Sequence, residues 1–502
     1  MRLALLVFLV FSTSITSVGA QLNVSEIFTD NMVLQRNKPI HLWGKGTPEA
    51  MVKVKLADES YKTRVRQDST WNIFFEKQIA NSSPQSIIIE SESQKILLKN
   101  ILIGDVWLCI GQSNMEWPMA KEMYFEEEKE FADQPLLRYY NPTYAGKGIF
   151  NKSFTDSVLK LLRKRDFYKG NWVESDVNSI KQMSAVGYYF GKELLESERI
   201  PIGLINMSIG GAPIETFIGH DAMASNPRFS EKLKGNWLHN NALPVWIRER
   251  GQQNVGKIKV IHKDELGPNH AFKPGFAYSA GLEPLFKMPI KGIIWYQGES
   301  NAQELERVKE YTELQKLMIK DYRKQWKQPK MPFYWVQLSS IDLTHYNSKY
   351  WPVFRNEQRI MINEIAHGGM AVSSDIGAKN DVHPTNKRDV GQRLARWALH
   401  MPYGKKVVPS GPLPKEATYK NGKVLIAFNY TANGLKTSDN KVVRGFSMDG
   451  KHEVPTTLKG NTVEIRSRNK PEYVYYGWQP FTDANLVNSE NLPASTFRLE
   501  VN

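Results

Sequence analysis

The chain has a single cysteine in 502 residues, so no intrachain disulfide can form in any compartment. That thiol, Cys109, lies inside the apolar run Val106 to Ile110, where a cysteine is expected to act as a small packing residue. Long hydrophobic runs are also lacking. Past the first twenty residues no stretch approaches the roughly 20 apolar residues of a membrane span, so stable membrane insertion is not expected. No His-Glu-x-x-His spacing occurs, and a metal site built from Asp381, His383 and Asp375 has no such pattern behind it. No metal or organic cofactor is expected. The net charge is +14, but no basic run is interleaved with aromatics, so a solvated basic surface is expected rather than a nucleic-acid partner. There is no internal repeat, low-complexity tract or Gly/Ser linker.

What is present begins at the first residues. Arg2 precedes the apolar run Leu3 to Phe11, and a polar stretch then ends in Val18-Gly19-Ala20. A positive start, a short apolar core and small residues at the end form the pattern of a secretory signal peptide. Cleavage after Ala20 would leave Gln21 first, with no cysteine there for lipid attachment. An exported protein is expected, periplasmic or secreted in a bacterium and lysosomal or extracellular in a eukaryote.

The remaining length exceeds one ordinary core, so two or three domains are expected. Residues 21–103 read as short strands, such as Ile40–Trp43, Val52–Leu56, Trp71–Phe75 and Ile87–Ile89, separated by turn residues. This suggests a small antiparallel β domain, sandwich-like. Residues 104–402 alternate strands with long amphipathic helices. Strands are expected at Pro201–Met207, Ile290–Tyr296, Phe333–Leu338 and Met370–Ser373. Helices are expected at Ala185–Ser197, behind an N-cap Ser184, and at Leu305–Trp326, Phe354–Ile365 and Thr385–Leu399. Such alternation builds an α/β domain with a parallel sheet. A stretch at about 220–276 shows no clear periodicity and reads as an insertion flanking the site. Residues 403–502 return to short strands and read as a C-terminal β domain.

The chain is organised around Trp107-Leu-Cys-Ile-Gly-Gln-Ser-Asn-Met-Glu-Trp-Pro118. Its apolar run ends at Gly111, and Ser113 follows just off the strand's carboxyl end, where open α/β sheets place their ligands. Alone, this fits a nucleophile and a helix-capping serine equally well. Three more strand ends belong to the same sheet edge. Gly210-Gly211 offers backbone N–H groups with no side chain in the way, as an oxyanion hole needs. Gln297 and Asn301 add amide donors, and Glu299 reads as a structural acid. In Asp381-Val-His383-Pro384 the proline pushes His383 toward an extended conformation, so Asp381 would share its face and could orient the imidazole. A carboxylate-oriented histidine is the base that a serine nucleophile requires. The second glycine of the α/β-hydrolase elbow is missing after Ser113, which argues against that fold.

Together Gly111-Gln-Ser-Asn-Met115, Gly210-Gly211, Trp295-Tyr-Gln-Gly-Glu-Ser-Asn301 and Asp381-Val-His-Pro384 resemble the motif blocks of the sialate O-acetylesterase family, within the SGNH hydrolases. Gly477-Trp-Gln-Pro-Phe481 and Asn491-Leu-Pro-Ala-Ser-Thr-Phe-Arg498 are similar to that family's C-terminal stretch. The resemblance implies a flavodoxin-like, three-layer catalytic domain with accessory β domains. It implies Ser113 as nucleophile, His383 as base and Asp381 as acid. The oxyanion donors would be the N–H of Ser113, that of Gly210 or Gly211, and the side chain of Gln297 or Asn301. Gln112, Asn114, Trp117 and Glu299 are expected to contact an O-acetylated sugar, a sialic acid or another acetylated glycan such as xylan. The superfamily's usual acid stands three residues before the histidine, where this chain has Asn380. Asp381 must serve instead, or Asp375, or a Ser-His dyad works alone. A non-catalytic carbohydrate-binding protein is the third functional reading.

Overall fold

The computed structural model describes residues 21–502 apart from 93, 258–261 and 345, so the expected signal segment 1–20 lies outside the described residues. The strand leading to the serine, β1, is long, running Gln94–Gly111. It passes from the N-terminal β region into the α/β region without a break, through the expected boundary at 103/104. Its first half has exposed positions and pairs antiparallel with Asn81–Ser91, which pairs in turn with Met51–Leu56. Val33–Gln35 lies parallel to it at the junction. Its second half is buried at every position from Ile101 to Gly111. An apolar run buried on both faces belongs inside a parallel sheet.

That sheet adds β2 (Gln134–Tyr140), β3 (Trp172–Ser175), β4 (Ile202–Asn206), β5 (Gly292–Tyr296), β6 (Phe333–Gln337) and β7 (Gly368–Val372). The spatial order is β3-β2-β4-β1-β5-β6-β7, with β1 in the middle. Neighbours run parallel except β3, which lies antiparallel to β2 at the edge. The chain order departs from the spatial order around β1, and such a switch point is where open parallel sheets bind ligands.

The helices that matter here are α1, a single turn at Ser113–Glu116, α2 (Ala185–Glu198), α3 (Val245–Val255), α4 (Leu305–Gln325), α5 (Trp351–Glu364) and α6 (Arg388–His400). Ser184 caps α2 as its sequence position suggests, its hydroxyl accepting the Gly187 N–H at 3.0 Å. Helix α5 starts ahead of its apolar pattern because Pro352 sits in the first turn, where no N–H is missed. Helices α2 and α6 cross closely at Gly391, where a Cβ would stand 2.7 Å from the Val186 carbonyl oxygen.

The N-terminal strands share one continuous hydrophobic core with the central sheet, extending from Leu22 to Leu413. The C-terminal strands enclose a second core around Val424, Ile426, Val463, Ile465 and Phe497. Buried Arg355 on α5 bridges the two by donating to the carbonyls of Gly477 (3.1 Å), Pro480 (3.3 Å) and Gln479. The Gln337 amide at the end of β6 reaches the backbone of Thr496 on both its N–H and C=O. The Gly477–Phe481 and Ser495–Arg498 stretches thus form the docking edge of the C-terminal region.

Candidate active site

Strand β1 ends at Gly111, whose φ of +145° and close approach to β5 both require glycine. A Cβ there would lie 2.1 Å from the Tyr296 carbonyl oxygen. This contact ends the pairing of β1 with β5 and turns the chain so that Ser113 opens α1. The His383 Nε2 lies 2.8 Å from the Ser113 Oγ. The structure therefore brings together two residues 270 positions apart in sequence. The Trp117 ring stacks on the imidazole at 5.1 Å between centroids and fixes its plane.

Asp381 meets the histidine, but not in the way an extended segment would arrange. Its Oδ1 accepts the His383 backbone N–H at 2.8 Å, an Asx-type turn, and lies 3.5 Å from Nδ1. Its side chain is 57% exposed, which leaves its charge screened by water. Asp375 is placed elsewhere, in a two-pronged pair with Arg393 at 2.7 and 2.8 Å. Burial holds the His383 pKa below its usual value, the nearby Lys387 charge lowers it further, and Asp381 opposes both.

Lys387 has no counterpart among the residues read from the sequence. It is fully buried four residues after the histidine, with its Nζ donating to the Asn114 Oδ1 at 2.5 Å. The ammonium lies 5.6 Å from the ring centres of both Trp117 and Tyr296, and burial pushes its pKa down to about 7. Asn114 donates in turn to Glu299 Oε1 at 2.5 Å and to the Val382 carbonyl at 2.9 Å. Asn114 and Glu299, expected to contact substrate, are instead buried and bonded to one another. This chain of bonds ties the 381–384 loop to α1 and so sets the Ser113–His383 distance. Burial also raises the Glu299 pKa.

The expected amide donors face inward. Gln297 Nε2 donates to Asn301 Oδ1 at 2.8 Å and to Gln112 Oε1 at 3.1 Å, and its Oε1 accepts the Tyr311 hydroxyl at 2.7 Å. Asn301 accepts the Ile214 N–H and donates to Glu215 at 3.0 Å. The Gly210 N–H points to the Tyr144 hydroxyl at 3.1 Å. Among the described residues, the N–H of Ser113 and that of Gly211 meet no acceptor. Gln112 has its Oε1 fixed by Gln297 and by the Ser300 N–H at 3.2 Å, and its Nε2 meets no acceptor among the described residues. Cys109 is wholly buried, and burial pushes its thiol pKa up, as suits a packing residue. Among the described residues no cluster of His, Cys, Asp and Glu could hold a metal ion, and no helix is long and apolar enough to cross a membrane.

Residues 279–400, which include β5, Glu299, His383 and Lys387, match the family model of a carbohydrate esterase, sialic acid-specific acetylesterase. The sialate O-acetylesterase of Mus musculus is 26% identical over 476 residues, covering 87% of this chain and 84% of the mouse protein. The Homo sapiens sialate O-acetylesterase is 27% identical, with 85% and 80% covered. The chain is similar to the sialate O-acetylesterases over most of its length. A crystal structure of a carbohydrate acetylesterase from Xanthomonas citri superposes with a TM-score of 0.77 at 28% identity, covering 95% of this chain and 99% of that one. The likeness to these esterases therefore extends over most of the chain, and the family model itself covers the part that holds His383.

Proposed function

We propose that this protein is a serine esterase that removes O-acetyl groups from sialic acids, with Ser113 as nucleophile and His383 as base. The 2.8 Å contact between Oγ and Nε2 at a strand end carries this reading. His383 takes the Ser113 proton as Oγ attacks the acetyl carbonyl, and it then protonates the departing sugar hydroxyl. A water activated by the same nitrogen releases acetate from the acetyl-enzyme. The oxyanion is held by donors that meet no acceptor among the described residues: the N–H of Ser113, the N–H of Gly211 and the Gln112 Nε2. Asp381 orients the imidazole chiefly through the turn it closes, and its charge acts weakly because it is exposed. The neutral form of His383 is favoured by burial and by Lys387.

The surrounding architecture is read as the three-layer SGNH arrangement over 104–402, with β domains at 21–103 and 403–502. Export is read from the first twenty residues. The sialate preference is supported by the named relatives and by the match to a sialic acid-specific family. Acetylated neutral glycans such as xylan form the second reading, favoured by the likeness to the Xanthomonas citri carbohydrate acetylesterase. Acetate release from O-acetylated N-acetylneuraminic acid and from acetylated xylan, measured side by side, separates the two. The first reading expects the sialic acid to be hydrolysed with the higher kcat/KM, and a reversed order would replace it with the second.

A further inference from the structure

Beside the glycine turn lies a buried cation, Arg250, that has no carboxylate partner among the described residues. Arg250 on α3 is 7% exposed. Its Nη1 donates to Asn151 Oδ1 at 2.5 Å, while its Nε is buried without any partner. No carboxylate charge acts on the guanidinium, whose pKa is lowered by burial alone. Two rings pack on it, Trp246 at 4.5 Å and Phe150 at 5.3 Å. Among the described residues no acceptor meets the edge formed by Nε and Nη2. A buried guanidinium edge without an acceptor is costly to maintain, and such an edge matches a carboxylate by two parallel hydrogen bonds.

The cavity this side chain lines also includes Tyr144, Phe150, Gly210, Asn254 and His270. It is joined to the nucleophile by the glycine turn itself. The Ile209 N–H donates to the Gly111 carbonyl at 3.0 Å, and Trp246 Nε1 donates to the Gly211 carbonyl at 3.4 Å. His270 adds no competing charge, since burial and then Arg250 push its pKa down to about 3. Glu116 is the acid nearest the turn, and its charge is met by Lys147 at 3.1 Å and by the Tyr144 hydroxyl at 3.3 Å.

We infer that Arg250 binds the carboxylate of an acidic sugar and so selects anionic over neutral acetylated substrates. This deepens the esterase reading and rests on it. The cavity beside Gly210 anchors the acid group while the acetyl ester lies over Gly211 and Ser113. A neutral xylan chain offers that edge no anion.

The test compares O-acetylated N-acetylneuraminic acid with its methyl ester, in the full-length protein and in Arg250→Gln and Arg250→Lys. The wild type should favour the acid over the ester by about tenfold to a hundredfold, through KM, as a charge-assisted hydrogen bond allows. In Arg250→Gln that ratio should fall to near one, and Arg250→Lys should restore part of it. A ratio unchanged by Arg250→Gln would overturn the inference. A second measurement needs no variant: inhibition of aryl acetate hydrolysis by a free hexuronic acid and by its methyl ester. The acid should inhibit more strongly, and equal inhibition would also overturn the inference. If the wild type releases no acetate from the sialic acid yet the hexuronic acid inhibits selectively, the sialate reading fails while the carboxylate site stands.

Discussion

In the proposed mechanism His383 must be neutral to accept the serine proton, so activity should rise with pH through its pKa. Burial and the Lys387 charge hold that pKa below the ordinary histidine value. The acid limb of kcat/KM is therefore expected below about pH 6.5, the ordinary histidine value. Asp381 raises the pKa, so Asp381→Asn should move the limb to lower pH, and Lys387→Met, which removes a positive charge, should move it higher. A pH–rate profile with aryl acetate reads both shifts, and movement in the opposite directions would contradict the electrostatics. Asp381→Asn keeps the turn to the His383 N–H, and its lost carboxylate is exposed and 3.5 Å from Nδ1. Its cost in kcat should thus be about tenfold to a hundredfold, well short of the roughly 10⁴ of a buried orienting acid. At this scale the meeting of Ser113, His383 and Asp381 was legible because residue type and position relative to strand ends are written in the sequence. Lys387 was not, because a lysine in Asn386-Lys-Arg388 reads as solvated surface until the fold buries it. The inward turn of Gln297 and Asn301 was equally hidden. Both sit at the right strand end, and only packing decides which way an amide faces.

Elements position these residues through two close approaches of backbone. At Gly111 the end of β1 touches the end of β5, and a Cβ would stand 2.1 Å from the Tyr296 oxygen at a φ of +145°. Gly111→Ala should lose at least roughly 1–3 kcal/mol of stability and most of the activity, since Ser113 sits two residues on. Urea unfolding with a parallel aryl acetate assay checks this, and a variant of native stability would show that the strand ends can separate freely. The helices and inner strands of the α/β region were readable because their apolar spacing is regular over many residues. Strands β2 and β3 were not read, since β2 opens on half-buried Gln134 and exposed Pro135 and is buried only in its second half, and β3 is a short edge strand with mixed exposure. Within the insertion, α3 carries Trp246 and Arg250, whose packing against Phe150 and Gly211 owes nothing to a periodic pattern.

For the molecule as a whole, the two cores meet across Arg355, whose guanidinium binds backbone carbonyls of the C-terminal region and no carboxylate. Burial pushes its pKa down to about 9, so it remains charged at neutral pH. Arg355→Met should cost about 2–4 kcal/mol by leaving the carbonyls of Gly477, Gln479 and Pro480 without that donor. A lower melting temperature with earlier proteolysis within residues 413–502 is expected, and an unchanged melt would show that the second core docks without it. The broad division into β, α/β and β textures was visible in the sequence, but the continuous core from Leu22 to Leu413 was not. Strand β1 joins the first two textures, and no change of composition marks a strand that simply continues. The proposed mechanism rests on one contact, that of Ser113 with His383, and the covalent step it proposes is open to direct observation. Acid-quenching the wild-type protein during turnover of O-acetylated N-acetylneuraminic acid, then mapping peptides by mass spectrometry, should find the acetyl group on Ser113. In Ser113→Ala the fold should persist with neither adduct nor acetate release. Acetate release by Ser113→Ala at the wild-type rate, or an acetyl group carried by another residue, would contradict the account.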